Sequence, residues 1–394
     1  MNLPMRLPAR LPMRLRRPVA TLGVLAAIVA ACGGGGVSPA PTASGDLASP
    51  SPSAASTSAP SEPSAATPSP TVVSTADPLA GPLAWTQLAP VGDAPTGRED
   101  HTWTVDEVGG TAYLFGGRDG SAVHGDLWAY DLAADAWRRL NPAGPAPAAR
   151  FGHEAAWIPN RGLVVFGGQA GSTFFGDTWL FDPVAGAWTK LPDDGDAPVP
   201  RYGSCSAVSP DGRLWISHGF TENGTRFDDT RAYDFDLERW ADETPSDALP
   251  VRRCLHVCWW TSDGRLALFG GQTNGDPALG DLWALKPLAS GEGRTGWESL
   301  GNPLPVDRNL VAAVAVGDDV VIFGGRNGQG QAIADLHRVT VGDLAFEPLA
   351  TTGTRASARW AATLISDPTR ARILLFGGTD GTTANAETWA LVAF

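Results

Sequence analysis

Six arginines recur at nearly fixed distances along this chain: Arg98, Arg150, Arg201, Arg253, Arg308 and Arg359. A guanidinium offers forked N–H donors that match planar anions. Six of them brought to one place would take a carboxylate, a sulfate, a sugar acid or an acidic peptide. The same regularity also suits a structural role, each arginine holding the carbonyls and acids of its own repeat. A second set is peculiar to single repeats and so points to specificity: Arg118 and Asp119, Gln169, Glu222 and Asn223, Gln272 and Asn274, Arg326 and Asn327, and Asp380.

Cysteine and histidine chemistry comes next. Cys254, His256 and Cys258 alternate, which places them on one face of a strand. Cys205 lies four residues past its arginine, whereas Cys254 and Cys258 lie one and five past theirs, so the parities are opposite. Three readings stand: packed thiols, a disulfide from Cys205 to Cys254 or Cys258 in an oxidising compartment, or a metal site that also draws on His218. Cys-x-His-x-Cys is not a usual zinc spacing, and no metal is expected. His101, His153 and His256 each follow a repeat arginine by three residues, which marks a repeat position. The chain has no nucleophile elbow, phosphate-cradling glycine loop or helical zinc motif. Neither catalytic residues nor a cofactor are expected.

The elements that position these residues are short strands. The stretch from Arg150 to Leu191 reads as four: an alternating apolar run ending in Gly167-Gly168, a loop, Asp-Thr-Trp-Leu-Phe-Asp, a turn and a strand from Trp188. The pattern recurs with its first glycine position at Gly116, Gly167, His218, Gly270, Gly324 and Gly377, at intervals of 51 to 54 residues. An acid follows about ten residues later, usually with Trp two residues beyond: Asp126 with Trp128, Asp177 with Trp179, Asp281 with Trp283, Glu387 with Trp389. Repeats three and five carry Asp229 with Arg231 and Asp335 with His337. Five repeats close with an aromatic strand; the sixth does not, and a matching fragment stands at Trp85 to Leu88. A period near fifty residues with four strands per unit predicts radial blades. The displaced fragment predicts a closed ring, the N-terminal strand completing the last blade. The expected fold is all-β, a six-bladed propeller over residues 85–394 with four antiparallel strands per blade.

The apolar run with Gly-Gly and the spaced aromatics resemble the kelch family, and the galactose-oxidase central domain within it, across about residues 85–394. The resemblance implies that the arginine-bearing loops and those after Gly-Gly line the mouth of a central channel. The candidate ligand residues are then Arg98, Arg150, Arg201, Arg253, Arg308, Arg359, Arg118, Gln169, Asn223, Gln272 and Arg326. Copper chemistry of the galactose oxidase kind is not expected, since the chain holds four tyrosines and three fit repeat or packing positions. An alternative is an enzyme similar to the six-bladed kelch sialic-acid mutarotase, a sugar-acid epimerase-like activity drawing on Glu222, Arg201 and Arg253.

The N-terminus supplies location. Five arginines in residues 1–17 precede an apolar run from Val19 to Ala31, which ends Val29-Ala30-Ala31-Cys32. That is a signal peptide over 1–31, resembling a bacterial lipobox with Cys32 as the lipidated residue. Residues 32–84 are Gly, Ser, Pro, Ala and Thr almost throughout and read as a disordered tether. The expectation is an exported, membrane-anchored lipoprotein that touches the membrane only through its lipid. The chain carries 29 Lys+Arg against 42 Asp+Glu; without the five N-terminal arginines its net charge is −18. That balance argues against nucleic acid and anionic lipid. The expected partner is a protein or glycan ligand, anionic if it meets the arginines, bound by a monomer. Phe174 and Phe175 are expected as exposed contacts for a protein partner.

Overall fold

The computed structural model describes residue 79 and residues 81–274, 276–285, 296–340 and 342–393. The expected signal peptide, Cys32 and nearly all of the expected tether lie outside the described residues. The end of that stretch does not: Leu79 is buried and the strand Leu83–Leu88 begins before the expected boundary at 85.

The regular secondary structure of the described residues is short strands and one three-residue 3-10 turn, Glu222–Gly224, joined by loops. Six blade sheets form, each with four antiparallel strands running up and down from an inner strand outward; blades one and six add a two-residue parallel strand at the outer edge, and three two-stranded ribbons lie in the loops. The inner strands are Thr102–Asp106, Glu154–Ile158, Cys205–Val208, Val257–Trp260, Ala312–Val316 and Trp360–Asp367. Each touches the inner strands of the blades before and after it, and the sixth touches the first. This closes a ring around an axial channel. The outer strand of blade six is Leu83–Leu88, paired antiparallel with Thr388–Ala393 from Leu83 opposite Ala393 to Leu88 opposite Thr388. Six blades and the exchanged closing strand are as the repeat implies.

Second strands such as Gly162–Phe166 and Leu214–Ser217 are buried along their whole length. Consequently the core is not central: it consists of apolar layers between adjacent blades. The layer between blades six and one stacks Trp103 and Trp137 at 5.3 Å with Phe376 against both. Large aromatic surfaces bridge a wedge-shaped gap with few rotatable bonds.

Cys205 is joined to Cys258 by a disulfide, linking the inner strands of blades three and four. Of the readings open from sequence, the cross-link with Cys258 is the one formed. It rules out Cys258 as a metal thiolate, leaving Cys254 as a buried free thiol.

Candidate functional site

Each repeat arginine is built into its own blade. Arg253 is fully buried; its Nε donates to Val251 O at 3.1 Å and its Nη1 to Gly270 O at 2.9 Å. Both terminal nitrogens reach the Asp281 carboxylate, at 2.6 and 2.7 Å. The same fork recurs from Arg98 to Asp126, Arg150 to Asp177, Arg201 to Asp229 and Arg308 to Asp335, and Arg359 pairs with Glu387. In four blades the tryptophan two residues past the acid donates its indole N–H to the same carboxylate. Arg231 replaces that indole in blade three.

Between blades, the arginine works through its backbone. The N–H after the first glycine position donates to the next blade's arginine carbonyl, from Gly117 to Arg150 O at 2.9 Å round to Gly378 to Arg98 O at 2.8 Å. A Cβ on Gly270, already at φ +71°, would stand 2.6 Å from Arg308 O, which is why glycine occupies this turn. His218 takes the same place in blade three at φ +57° and still offers its carbonyl to Arg201 at 2.8 Å. Its ring packs beside His256 at 5.4 Å and accepts or donates at Ser217 Oγ.

The six repeat arginines are therefore corrected as ligand-binding candidates. At 0 or 1% exposed, with their donors turned on their own blades, they present no free fork at the channel mouth. The structural role, also open from the sequence, is the one they fill. Arg201 and Arg253 are accordingly not placed for acid–base work, and Glu222 is exposed in the 3-10 turn.

A further circle forms two residues past each arginine. Asp100, Gly152, Gly203, Leu255, Leu310 and Ala361 all have φ between +51° and +62°. Their backbones make a closed round of six hydrogen bonds of 2.7 to 3.1 Å, each N–H donating to the preceding blade's carbonyl. This iris separates the channel below from the mouth above.

The mouth is two concentric rings. The residue after each arginine is bridged to the second residue past the first glycine position: Glu99 with Arg118, Phe151 with Gln169, Tyr202 with Phe220, Cys254 with Gln272, Asn309 with Arg326 and Trp360 with Thr379. Backbone geometry repeats there while chemistry differs in every blade. Of the sequence candidates, Arg118, Gln169, Gln272 and Arg326 converge on this face; exposed Asn223 does not line its depressions. Phe174 packs edge-on against Phe220, but Phe175 lies under the Arg150 guanidinium at 4.1 Å and is an internal contact rather than an exposed one.

Arg118 is the ridge between two depressions. One, about 640 Å³, is lined by Phe151, Gln169, Tyr202 and Phe220; the other, about 300 Å³, by Leu255, Leu310, Arg326, Trp360 and Thr379. Arg118 pairs with Glu99 at 3.0 Å and Asp100 at 2.8 Å and lies over the Phe151 ring. Burial pushes both carboxyls up from the usual range, with Arg118 pulling against it. Arg326 is held by neutral amides, Asn309 Oδ1 at 3.3 Å and Gln272 Oε1 at 3.2 Å, beside the Trp360 ring. It has no ion pair among the described residues. Sequence reading missed Glu99, Tyr202, Asn309 and Trp360, although one signal was there: they follow the repeat arginine and differ in each copy.

Six blades of four antiparallel strands, five locked by arginine–carboxylate forks and the sixth by the Arg359–Glu387 pair, with one face of varied loop residues, define a repeat propeller. The chain belongs to the kelch-repeat family: the KLHDC2/KLHL20/DRC7 Kelch-repeats domain matches residues 81–271 and 238–392. Among similar proteins, serine/threonine-protein phosphatase BSL2 of Arabidopsis thaliana is 29% identical over 270 residues, covering 62% of this chain and 26% of that protein. Acyl-CoA-binding domain-containing protein 4 of Arabidopsis thaliana is 32% identical over 142 residues, 36% of this chain and 21% of that protein. Kelch domain-containing protein 3 of Bos taurus is 27% identical over 263 residues, 62% of this chain and 67% of that protein. The chain thus spans about a quarter or less of the two plant proteins' length.

Proposed function

We propose that this chain is an exported, lipid-anchored kelch propeller that binds a protein or glycan ligand, as a monomer, through the two-ring mouth. The observation that carries the ligand site is Arg326. A guanidinium hydrogen-bonded to neutral amide oxygens and, among the described residues, in no ion pair, with Glu99 and Asp100 near enough to feel its charge but paired with Arg118, suits an anionic group on the ligand. The aromatic depression over blades two and three takes a neighbouring apolar or sugar-ring surface. A protein-interaction role is what kelch propellers generally serve; sulfated or acidic glycans offer the same anionic chemistry.

The test is a binding screen of the chain against acidic peptides, sulfated glycans and sugar acids, repeated with Arg118→Ala/Arg326→Ala. Loss of a charged hydrogen bond is worth about 1.5–3 kcal/mol, so the double variant should bind at least about tenfold more weakly with an unchanged circular dichroism spectrum. Equal affinity in the variant, or no binding of any anion, sinks the mouth as an anion site.

Anchoring rests on residues 1–32: the basic start, the apolar run and Val29-Ala30-Ala31-Cys32. In a bacterial host, Cys32→Ser should move the protein from the membrane fraction to the soluble exported fraction and abolish labelling by a radioactive fatty acid. Labelling that survives the substitution would exclude Cys32 as the anchor.

A further inference from the structure

Below the iris, the inner strands of all six blades enclose a cavity of about 280 Å³. The fourth residue past each arginine faces forward to the next blade, and this fixes the chemistry of each seam. Thr102 meets His153 Nε2 at 2.8 Å, Glu154 meets Ser204 Oγ at 3.3 Å, Cys205 meets Cys258, and Thr363 donates to His101 O at 3.2 Å. Val257 and Ala312 occupy the same position in blades four and five. One arc of the channel is therefore polar and the other apolar.

Two carboxyl residues line this cavity, Asp100 and Glu154; Asp100 is paired with Arg118 at 2.8 Å on the mouth side, so Glu154 is the one without an ion pair among the described residues. Besides Ser204 it hydrogen-bonds Ser206, and no cationic side chain compensates it. Its titratable neighbours in the wall are His153 on its own strand, His101 on blade one and His256 on blade four, all kept neutral by burial. Burial pushes the Glu154 carboxyl up to about 8 although both serines favour its ionised form.

We propose that the central channel binds one small monovalent cation, of the size of sodium, potassium or ammonium, between the Glu154 carboxylate and the Ser204 and Ser206 hydroxyls. The charge count selects the class: a single carboxylate among neutral oxygens balances one positive charge, whereas calcium takes six to eight oxygen ligands and commonly several carboxylates. Space is sufficient for the ion with part of its water shell, since one water fills about 30 Å³ of liquid. Binding ionises Glu154, so each cation taken up below about pH 8 releases one proton.

The decisive experiment compares thermal unfolding of the chain in sodium, potassium and ammonium chloride with choline chloride at equal ionic strength, at pH about 9 and pH about 5. Linkage requires the small cations to raise the midpoint by about 2 °C or more at the higher pH, with little effect at the lower, where the proton holds the site. Adding potassium chloride to the weakly buffered native protein near pH 7 should release about one proton per chain. Glu154→Gln keeps the shape and removes the charge; its midpoint should be the same in every salt. Ser206→Ala, which leaves the carboxyl in place, should weaken the salt effect. Equal midpoints in all four salts for the unmodified protein, or an undiminished salt effect in Glu154→Gln, overturns the proposal. So does an absence of proton release.

Discussion

Arg253→Ala should lower the stability of the propeller by about 3–5 kcal/mol, the cost of breaking a buried pair from one side. The guanidinium is fully buried, and its removal strands three partners at once: the Val251 and Gly270 carbonyls and the Asp281 carboxylate. Trp283 still donates to Asp281 at 2.6 Å, which cannot neutralise the charge. At roughly 2–4 °C per kcal/mol for a domain of this order, the midpoint should fall by about 10 °C. Arg253→Lys keeps a charge but has no planar fork and should recover only part of the loss. The neighbouring Arg252 is the control: 64% exposed and paired with Asp228, it should cost less than about 1 kcal/mol when changed to alanine. Equal midpoints for Arg252→Ala and Arg253→Ala would refute the lock. Acid should reproduce the effect in the unmodified protein. Burial disfavours ionised Asp126, Asp177, Asp229, Asp281 and Glu387, yet their arginines outweigh it and hold all five below the usual range. A depressed native value stabilises above the unfolded value near 4 and is lost as pH falls, so urea midpoints should drop steeply below about pH 4.

The ring was legible in the sequence because a repeat reports itself six times. Arginine, glycine pair, acid and tryptophan recur at fixed offsets, and Trp85 to Leu88 is recognisable as a piece moved from the other end. What those arginines do was not legible. A residue that occurs in every copy reads equally well as six convergent ligands or six internal braces. The choice depends on whether the guanidinium points to the axis or back into its blade, and a side-chain direction is not encoded in spacing. The mouth was legible only in half. Arg118 and Arg326 stood out as charges where other copies have none. Glu99, Tyr202 and Trp360 lay beside the repeat arginines, in positions that mattered only once the bridge to the loop after the glycines was visible. Parity placed Cys205 on the opposite face from Cys254 and Cys258, but choosing Cys258 needed the stagger between blades. Glu154 gave no sequence signal at all, since one acid on a strand is ordinary until five neighbours leave it without a counter-charge.

Deleting Leu83–Leu88 should abolish the cooperative unfolding transition altogether. The strand makes six consecutive pairs with Thr388–Ala393, and its Leu83 and Trp85 are 2% and 6% exposed, Trp85 packing 5.5 Å from Phe323 of blade five. Removing one large buried side chain costs about 3–5 kcal/mol. Removing two, with the ladder of a whole strand, exhausts the roughly 5–15 kcal/mol that holds a domain folded. The free edge of Thr388–Ala393 then becomes a template for pairing between molecules, so the deletion should appear in the insoluble fraction. Trp85→Ala alone should remain soluble and lose the smaller amount. Loss of folding by itself would not prove ring closure, because any deleted core strand is harmful. The register supplies the discriminating variant. Leu83 lies opposite Ala393, so the two ends to be joined are side by side. Moving the Leu83–Leu88 sequence behind the C-terminus through a short turn would give blade six four consecutive strands, as in the other five. If the strand acts as the closing element of the sheet, that permuted chain should regain solubility and a single sharp transition near that of the parent. If it stayed unfolded, the strand's place ahead of blade one, rather than its pairing in blade six, would be what the fold requires.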